Sequence, residues 1–512
     1  MKSLSKSRER VEFRCDDPNL TPAAGLAAVA ELDRVLGIIA EIDEQVGSLY
    51  RAGARYRSFS AGEVVMGLCE SQLSGGDFLC DIDYRRADDA GSSLRAVSRP
   101  PASTTVGYLA RRFGDKQVAG LEAAVGILAR RMIEILPDEA RARLLAGRPT
   151  IDLDPTDVEV YGKKKRGVAF NYAGQLTGRP HPAIFAEAGL VLAADLGSGT
   201  DDPRPQAPSL IARAAGALPV GLGAPIVRGD SGFFDTGVAE AALTAGADFA
   251  IAAKRNPALW RKVREVPPDA WVRADAMDGA EVAECSYLPA GWPPETRAVV
   301  RRVRVEAEEI RADPRSRRRR TIDPEELKAV KAGTADHAFA YVVILTSLSW
   351  SVREIEAWFR DRAQVEERLK DSKLGLSLRH LPSGYPEVNA VWMWAAFLAL
   401  NVSATLSTFA GPPRPEDDEL VDDPAATSNE TEGTDTEHGD GTATPAPGPC
   451  WSRQPRPHRA HAKRLRREII MVPGRIAHHA RRLVVHLHPS ELAGPMLTAY
   501  GALLALPSFA GP

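Results

Sequence analysis

The chain has 512 residues, which at about 100–200 residues per domain predicts two to four domains. Its content of 44% hydrophobic and 26% charged residues is ordinary for a globular protein with a buried core. The net charge of −3 argues against a simple basic nucleic-acid binder, but the segment 411–449 alone carries eleven acids and one arginine, so the rest of the chain has a charge of +7.

The first two predicted segments differ in pattern. Residues 1–148 read as small helices joined by Gly- and Pro-containing turns, which predicts a helical N-terminal domain. From residue 149 to 267, three strands are followed by helix, strand, helix, strand and helix, which predicts an α/β sheet with a parallel part. The three predicted strands are Pro149–Tyr161, Val168–Gln175 and Ala188–Asp195.

The next two segments carry an interruption and a return of the α/β pattern. Residues 268–336 contain two β-like pieces and the basic run Arg315–Arg320, which predicts a β-rich, basic insertion. In residues 337–410 we expect a strand at Phe339–Ser347 and one long helix at Ser351–Leu374, because Ser351 and Glu354 have the spacing of a capping box.

The last two segments contrast in charge. Residues 411–449 have too few apolar side chains to offset the entropy of ordering, so we expect a disordered acidic linker. Residues 450–512 begin with the basic run Arg453–Arg467 and continue into a stretch that predicts a helix ending near Leu483. The sequence thus predicts a basic, helical C-terminal region.

One apolar run, Val391–Phe409, approaches the length that can cross a bilayer. It contains Asn401 and four serines and threonines, so a buried core helix is the preferred prediction over a membrane span. The five cysteines are scattered without metal-ligand spacing, which predicts reduced thiols, and the polar N-terminus has no signal-peptide core. We therefore expect a cytoplasmic protein with no membrane partner.

Two acids lie on the first predicted strand of the sheet. Residues two apart on a strand share a face, so Asp152 and Asp154 point to one side while Ile151 and Leu153 point to the other. Paired acids on a core strand are costly unless they bind something, typically a cation. The alternative is a solvated strand end.

A third acid, Asp230, ends the apolar strand that begins at Ala224. Ligand groups in α/β sheets tend to lie at the carboxyl ends of strands, although an ordinary turn or helix cap fits the same pattern. On the predicted long helix, Phe359, Arg362, Glu366 and Lys373 are three, four and seven residues apart, which places them on one stripe. The alternative there is a solvated, salt-bridged helix face.

In combination these features resemble insertion-sequence transposases of the DDE class that carry the YREK signature. In that signature Tyr, Arg, Glu and Lys are separated by two, three and six residues, and here only Phe359 departs from it. The first acid of the group often precedes Thr by two positions and the second precedes Ser and a nearby aromatic, which matches Asp154–Thr156 and Asp230–Phe233. The resemblance covers roughly Arg148–Asn401.

The resemblance implies a fold of three parts. It implies an α/β ribonuclease-H-like catalytic core in residues 149–267 and 337–410, with the β-rich insertion 268–336 as in the cut-and-paste branch. An all-α N-terminal domain, which either binds DNA ends or only packs on the core, and a helical C-terminal region would flank it.

The resemblance also implies the chemistry. Asp154, Asp230 and Glu366 would be the catalytic carboxylates and would hold two Mg²⁺ ions, for which Mn²⁺ can substitute, with Asp152 as the rival first ligand. Arg362 would bind phosphates of the element's end by a bidentate fork.

Lys373 would bind the same phosphates as a point charge, and a basic run would follow the DNA backbone. That run consists of Lys163, Lys164, Lys165 and Arg166. The implied partners are double-stranded DNA, both the terminal inverted repeats of an element and a target, and a second copy of the chain in a homodimer. We expect such a protein at the bacterial nucleoid when it is bound to DNA.

Two other functions fit the same residues. One is a different ribonuclease-H-like nuclease, against which the Phe359–Lys373 spacing and the insertion argue. The other is an inactive or domesticated transposase-derived protein that binds DNA without cutting it. We expect a strand-transfer assay to separate the first from a transposase, and a cleavage assay to separate the second.

Overall fold

The computed structural model describes residues 13–50, 59–162, 164–312, 317–411, 462–480, 482–489 and 493–509. Its N-terminal part is helical, as predicted, apart from a short strand, β1, at Leu20–Thr21. The helices that follow are α1 Leu26–Leu36, α2 Ile38–Val46, α3 Ala61–Leu73, α4 Ile82–Ala87, α5 Ser103–Ala110, α6 Asp115–Glu134 and α7 Asp138–Leu145. Helix α3 begins at a capping box formed by Ser60 and Glu63.

A large mixed sheet follows the N-terminal helices. Its first elements are β2 Thr150–Leu153, β3 Val158–Glu159, β4 Ala169–Phe170, β5 Leu176–Phe185, β6 Leu190–Ser198, α8 Ala207–Ala217, β7 Ile226–Gly229, α9 Thr236–Thr244, β8 Asp248–Ala252 and α10 Pro257–Arg264. The strand order is β6-β5-β2-β7-β8, in which β2, β7 and β8 are parallel and β5 is antiparallel to both of its neighbours. The predicted succession of strands and helices is therefore present.

Two of the predicted strands differ from the structure. The predicted strand Pro149–Tyr161 is two strands, β2 and β3, separated by residues 154–157. The prediction of a strand at Val168–Gln175 is wrong, because only Ala169–Phe170 pair and the long strand is β5. Strand β5 contains Pro180 and Pro182, which normally argue against a central strand.

The two prolines explain where the ladder between β2 and β5 breaks. The Asp154 N–H donates to the Pro182 carbonyl at 3.5 Å, and the Thr156 N–H donates to the Pro180 carbonyl at 2.9 Å. A proline has no N–H with which to return the second bond of an antiparallel pair. The chain is therefore held to β5 by half of the usual bonds from Asp154 onwards.

The predicted insertion, residues 268–336, extends the same sheet instead of forming a separate layer. Its elements and the strand that follows it are β9 Val272–Arg273, β10 Ala280–Cys285, β11 Arg297–Glu306, α11 Ala307–Ala312, α12 Pro324–Ala332 and β12 His337–Thr346. Strand β12 pairs antiparallel with β8, and β11, β10 and β9 continue outwards in that order. The first two residues of the basic run Arg315–Arg320 lie outside the described residues; in the rest of it, Arg319 donates to the carbonyl of Ile310.

The predicted helix Ser351–Leu374 is two helices, α13 at Val352–Arg360 and α14 at Ala363–Gly375. The predicted capping box of Ser351 and Glu354 is present at the start of α13. Helix α13 ends in tight i to i−3 bonds, from the Asp361 N–H to Trp358 and from the Arg362 N–H to Phe359. The single stripe predicted for the four signature residues is therefore wrong, since Phe359 and Glu366 lie on different helices.

The apolar run forms helix α15, Pro386–Ala410, which is a core helix as predicted. Of its most apolar 18-residue window, 94% is buried inside the protein. It packs against α3 and β6, and the Asn401 side chain accepts from the Val191 N–H at 2.8 Å and donates to the Val191 carbonyl at 3.0 Å. Asn401 therefore hydrogen-bonds the backbone of the edge strand β6 instead of facing solvent.

The C-terminal region is not all helical, which corrects the prediction. It consists of α16 Ala462–Leu465, a π-helical turn Arg466–Ile470, a hairpin of β13 Gly474–His479 and β14 Arg482–Leu487, and α17 Gly494–Leu504. Strand β13 pairs with β1, and α17 packs against α1 and α15. The N-terminal helices, the sheet and α17 share one hydrophobic core. The acidic linker 411–449 lies almost entirely outside the described residues.

Candidate active site

Asp154 and Asp230 occupy equivalent positions on neighbouring parallel strands. Strands β2 and β7 pair with Leu153 opposite Gly229, so each acid is the residue that follows its strand. Adjacent strands are about 4.8 Å apart, which brings the two acids to the same edge of the sheet. The Asp230 carboxylate accepts from the Gly232 N–H at 2.8 Å and caps a short 3₁₀ helix, which fixes its direction.

Arg362 lies in the break between α13 and α14 and points at Asp154. Its Nη2 donates to Asp154 Oδ1 at 2.8 Å and to the Leu153 carbonyl at 3.3 Å, while its Nη1 lies 3.8 Å from Glu366 Oε1. The Arg362 and Asp154 side chains are both largely buried. The helix break therefore places one guanidinium between the end of β2 and the first turn of α14.

The three acids share one electrostatic environment. The pKa of Asp154 is raised to about 6, chiefly by burial and also by the negative charges of Asp230 and Glu366, while Arg362 opposes the rise. Burial lowers the pKa of Arg362, but Asp154, Asp230 and Asp152 outweigh it, so the net shift is upward. Glu366 itself turns towards solvent, with 68% of its side chain exposed.

The chemistry and the spacing of these residues decide whether they can bind a metal ion. Carboxylate oxygens are the ligands that Mg²⁺ prefers, and three of them repel one another here around a single guanidinium. Among the described residues, no three His, Cys, Asp or Glu side chains are already close enough to hold an ion. The donor set fits a divalent cation, and Glu366 is the member that has to turn inwards.

Asp152, the rival first ligand, is committed elsewhere. Its two carboxylate oxygens accept from Arg228 Nε and Nη2 at 2.6 and 2.7 Å, and the two side chains are 0% and 3% exposed. Arg228 also donates to the Trp358 carbonyl at 2.6 Å and lies over the Trp358 ring at 4.7 Å. This pair joins β2 and β7 to the end of α13, so it positions the helix break that carries Arg362.

Arg228 was not among the predicted site residues, although the sequence contains a signal for it. An arginine in the apolar strand Ile226–Gly229 needs a buried partner, and Asp152 is an acid in the strand next to it. The register places Asp152 directly opposite Arg228. The alternation of side chains on a strand places Asp152 and Asp154 on one face. It does not tell which of them pairs with a buried arginine and which lies at the edge where a ligand can bind.

The two predicted phosphate ligands, Arg362 and Lys373, differ in their surroundings within the protein. The buried Nε of Arg362 has no hydrogen-bond partner among the described residues, so its guanidinium has a donor to spare. Lys373 lies two turns after Glu366 on α14 and is half-buried. Arg362 and Glu366 therefore come together, whereas Lys373 lies at the other end of the helix.

The predicted basic run divides between the surface and the interior. Lys163 lies outside the described residues. Lys164 is exposed, while Lys165 donates to the Leu381 carbonyl, and burial lowers its pKa. Arg166 lies 3.9 Å from Glu387 and over the ring of Tyr385 at 5.0 Å.

A second set of residues outside the prediction braces α14. Both oxygens of the buried Asp371 accept from the Ala462 N–H at 2.9 Å, and burial raises the Asp371 pKa to about 7. Arg466 donates to the carbonyls of Leu73, Gln72 and Gly375. The described part of the C-terminal basic run is thus partly internal, and it connects α14 to α3.

A known protein family matches most of this chain. The family model described as "Transposase DDE domain group 1" matches residues 4–417. No curated protein shows a significant match. Among solved structures, the chain matches the cryo-EM structure of a piggyBac transposase synaptic complex with hairpin DNA at 10% identity and a TM-score of 0.34, covering 81% of this chain and 87% of that one.

The family model spans well over half of the chain and includes the ends of β2 and β7 and both helices around Arg362. The chain therefore belongs to the family of DDE-class transposases.

Proposed function

We propose that this protein cleaves DNA at the ends of an insertion element and joins the resulting 3′-hydroxyl ends to target DNA. The observation that carries the proposal is the meeting of Asp154 and Asp230 at adjacent strand ends with Arg362 and Glu366 beside them. Transposase DDE domains typically use divalent metal ions, and carboxylates at one sheet edge suit that chemistry.

In the proposed reaction Asp154, Asp230 and Glu366 hold two Mg²⁺ ions, or Mn²⁺ in their place. Bound there, such ions activate an attacking oxygen and stabilise the leaving oxygen of a phosphodiester. Asp154 is favoured over Asp152 as the first carboxylate because Asp152 already neutralises Arg228 inside the protein. Glu366 joins the two aspartates by turning its exposed side chain towards them.

The cations around this edge have separate proposed tasks. Arg362 neutralises the carboxylates before DNA binds, and its unpartnered Nε provides a donor for a phosphate of the element's end. Lys373 provides a point charge further along α14. Of the predicted basic run, Lys164 and Arg166 are proposed to contact the DNA backbone and to raise affinity without reading sequence, whereas Lys165 is held by the Leu381 carbonyl and Lys163 lies outside the described residues.

The strand order supports a ribonuclease-H-like core for this reaction. Along the chain, the strands β2, β5 and β6 are followed by a helix, β7, a helix and β8, which is the succession expected from the resemblance. We propose that residues 149–267 and 337–410 form this core and 268–336 its insertion. The N-terminal helices bind the DNA ends, and two copies of the chain bring two ends together.

The proposal is tested by cleavage of a labelled DNA that carries the element's own end, with Mg²⁺ present. We expect Asp154→Ala, Asp230→Ala and Glu366→Ala each to abolish cutting while DNA binding persists. Glu240→Ala, which removes an exposed acid from α9, is the matched control and should cut normally. Normal cutting by Glu366→Ala would overturn the assignment of the site.

One observation favours a second candidate function, DNA binding without cleavage. Glu366 faces solvent, and no metal-binding group of three acids is formed among the described residues. If the wild-type protein binds its DNA end but never cuts it with either metal, this second function replaces the first. A strand-transfer product, by contrast, would separate a transposase from a simple nuclease.

A further inference from the structure

Three aromatic side chains project from one short part of the sheet. We call residues 157–178, which contain β3, β4 and the start of β5, the finger. In it Tyr161, Phe170 and Tyr172 are 85%, 65% and 94% exposed. Burying an aromatic side chain removes a large apolar area from water, so three of them left exposed within twelve residues indicate a binding surface.

Side-chain hydrogen bonds fix the part of the finger that carries Tyr172. The Asn171 side chain closes the turn that carries Tyr172, because its Oδ1 accepts from the N–H groups of Ala173 and Gln175 at 3.0 and 2.9 Å. Asn171 Nδ2 also donates to Asp157 at 2.9 Å, and Asp157 is held by Arg179 at 2.6 Å. A fixed aromatic face loses little conformational entropy when a flat ligand stacks on it.

The register gives the distance from the finger to the carboxylates. On strand β5, Pro182 lies opposite Asp154 and Leu176 lies opposite Val160, so six residues of β5 separate these two positions. At about 3.3 Å per residue this is about 20 Å. The chain runs outwards past the edge that carries Asp154, so the finger extends beyond the carboxylates rather than behind them.

The finger also carries positive charge on its exposed surface. Lys164 is exposed, and Arg166 lies over the ring of Tyr385, which Arg111 approaches from another element at 3.9 Å. Exposed aromatic side chains interleaved with cations are the combination by which proteins bind unpaired nucleic acid, stacking on bases while cations attract phosphates. An apolar protein partner would not need these cations.

We propose that the finger binds unpaired bases of the DNA about six base steps from the phosphate that is cut, with Tyr161, Phe170 and Tyr172 as stacking residues. The spacing follows from about 20 Å of strand and about 3.4 Å per base step. This inference rests on the proposed function, because it takes the carboxylate edge as the point of cutting. It adds a binding site for DNA whose two strands are locally unpaired at a fixed distance from the phosphate that is cut.

The test measures binding of the full-length protein to fluorescent DNA that carries the element's end and a two-base unpaired site. The unpaired site is placed either six or seventeen base steps from the scissile phosphate, on each side in turn. We expect wild type to bind the nearer site at least about fivefold more tightly, since stacking on one base is worth about that factor or more. The triple variant Tyr161→Ala, Phe170→Ala and Tyr172→Ala should bind both DNAs equally.

A matched triple variant, Tyr161→Phe, Phe170→Tyr and Tyr172→Phe, keeps every aromatic face and should keep the preference. An alanine variant that retains the preference, or a wild type that shows none, overturns the inference. Loss of a dimer in the alanine variant by light scattering, with the DNA preference intact, assigns the finger to a protein partner instead. Cleavage is scored separately, so a wild type with the preference but no cutting refutes only the proposed function.

Discussion

Replacing Asp152 by asparagine is expected to lower the melting temperature strongly and by more than Asp154→Asn does, because the Asp154–Arg362 pair is less buried, whereas Asp154→Asn should stop DNA cleavage. Asp152 and Arg228 are 0% and 3% exposed and joined by two short hydrogen bonds. Removing one member of a buried pair costs about 3–5 kcal/mol, because the other charge stays buried. For a cooperative unit of 150–250 residues this corresponds to roughly 6–20 °C.

The measurement is thermal unfolding by circular dichroism, paired with the cleavage assay on the same samples. Asp202→Asn is the matched control, because Asp202 and Arg204 form a half-exposed pair that should contribute less than about 1 kcal/mol. Restoring an apolar pair, Asp152→Leu with Arg228→Met, should recover much of the lost stability. A melting temperature of Asp152→Asn within about 2 °C of wild type, together with cutting by Asp154→Asn, would refute the reasoning.

Three further predictions concern other parts of the protein. Burial raises the pKa of Glu70 from 4.5 to about 8, so its stabilising contribution is complete below pH 4.5 and is lost as the pH rises through 8. Melting curves at pH 6 and 9 should show a smaller fall for Glu70→Gln than for wild type. Arg362→Gln should reduce cleavage roughly 100-fold and move the acid limb of the pH profile upwards, because Arg362 lowers the pKa of Asp154; an unmoved limb would contradict the contact. Arg466→Ala should speed hydrogen exchange in α14, since it removes the charged hydrogen bonds, worth about 1.5–3 kcal/mol each, that connect Gly375 of α14 to Gln72 and Leu73 of α3. Unchanged exchange would show that this brace is dispensable.

The parts of the site that follow from local rules could be predicted from the sequence. Asp230 ends an apolar strand, and the capping box of Ser351 and Glu354 starts a helix where the spacing predicts one. Both depend on residues within a few positions of each other, so one strand or one turn contains the whole signal.

The parts that depend on distant partners could not be predicted. Nothing near Asp361 and Arg362 breaks a helix in sequence, and the break is held by the contact of Arg362 with Asp154, 208 residues away. Strand β5 tolerates Pro180 and Pro182 because their missing donors face the point where β2 ends. The sequence predicts a helix where the hairpin of β13 and β14 lies, because the pairing of β13 with the distant β1 leaves no local signal.

The pairing of β1 with β13 delays the completion of folding until late in synthesis. Leu20 pairs with Arg475, 455 residues later in the chain. At about 5–20 residues per second, a ribosome needs roughly 20–90 s to make the second strand after the first has emerged. The N-terminal helices must wait through most of synthesis with part of their apolar surface uncovered, and a chain cut short before α17 never closes its core.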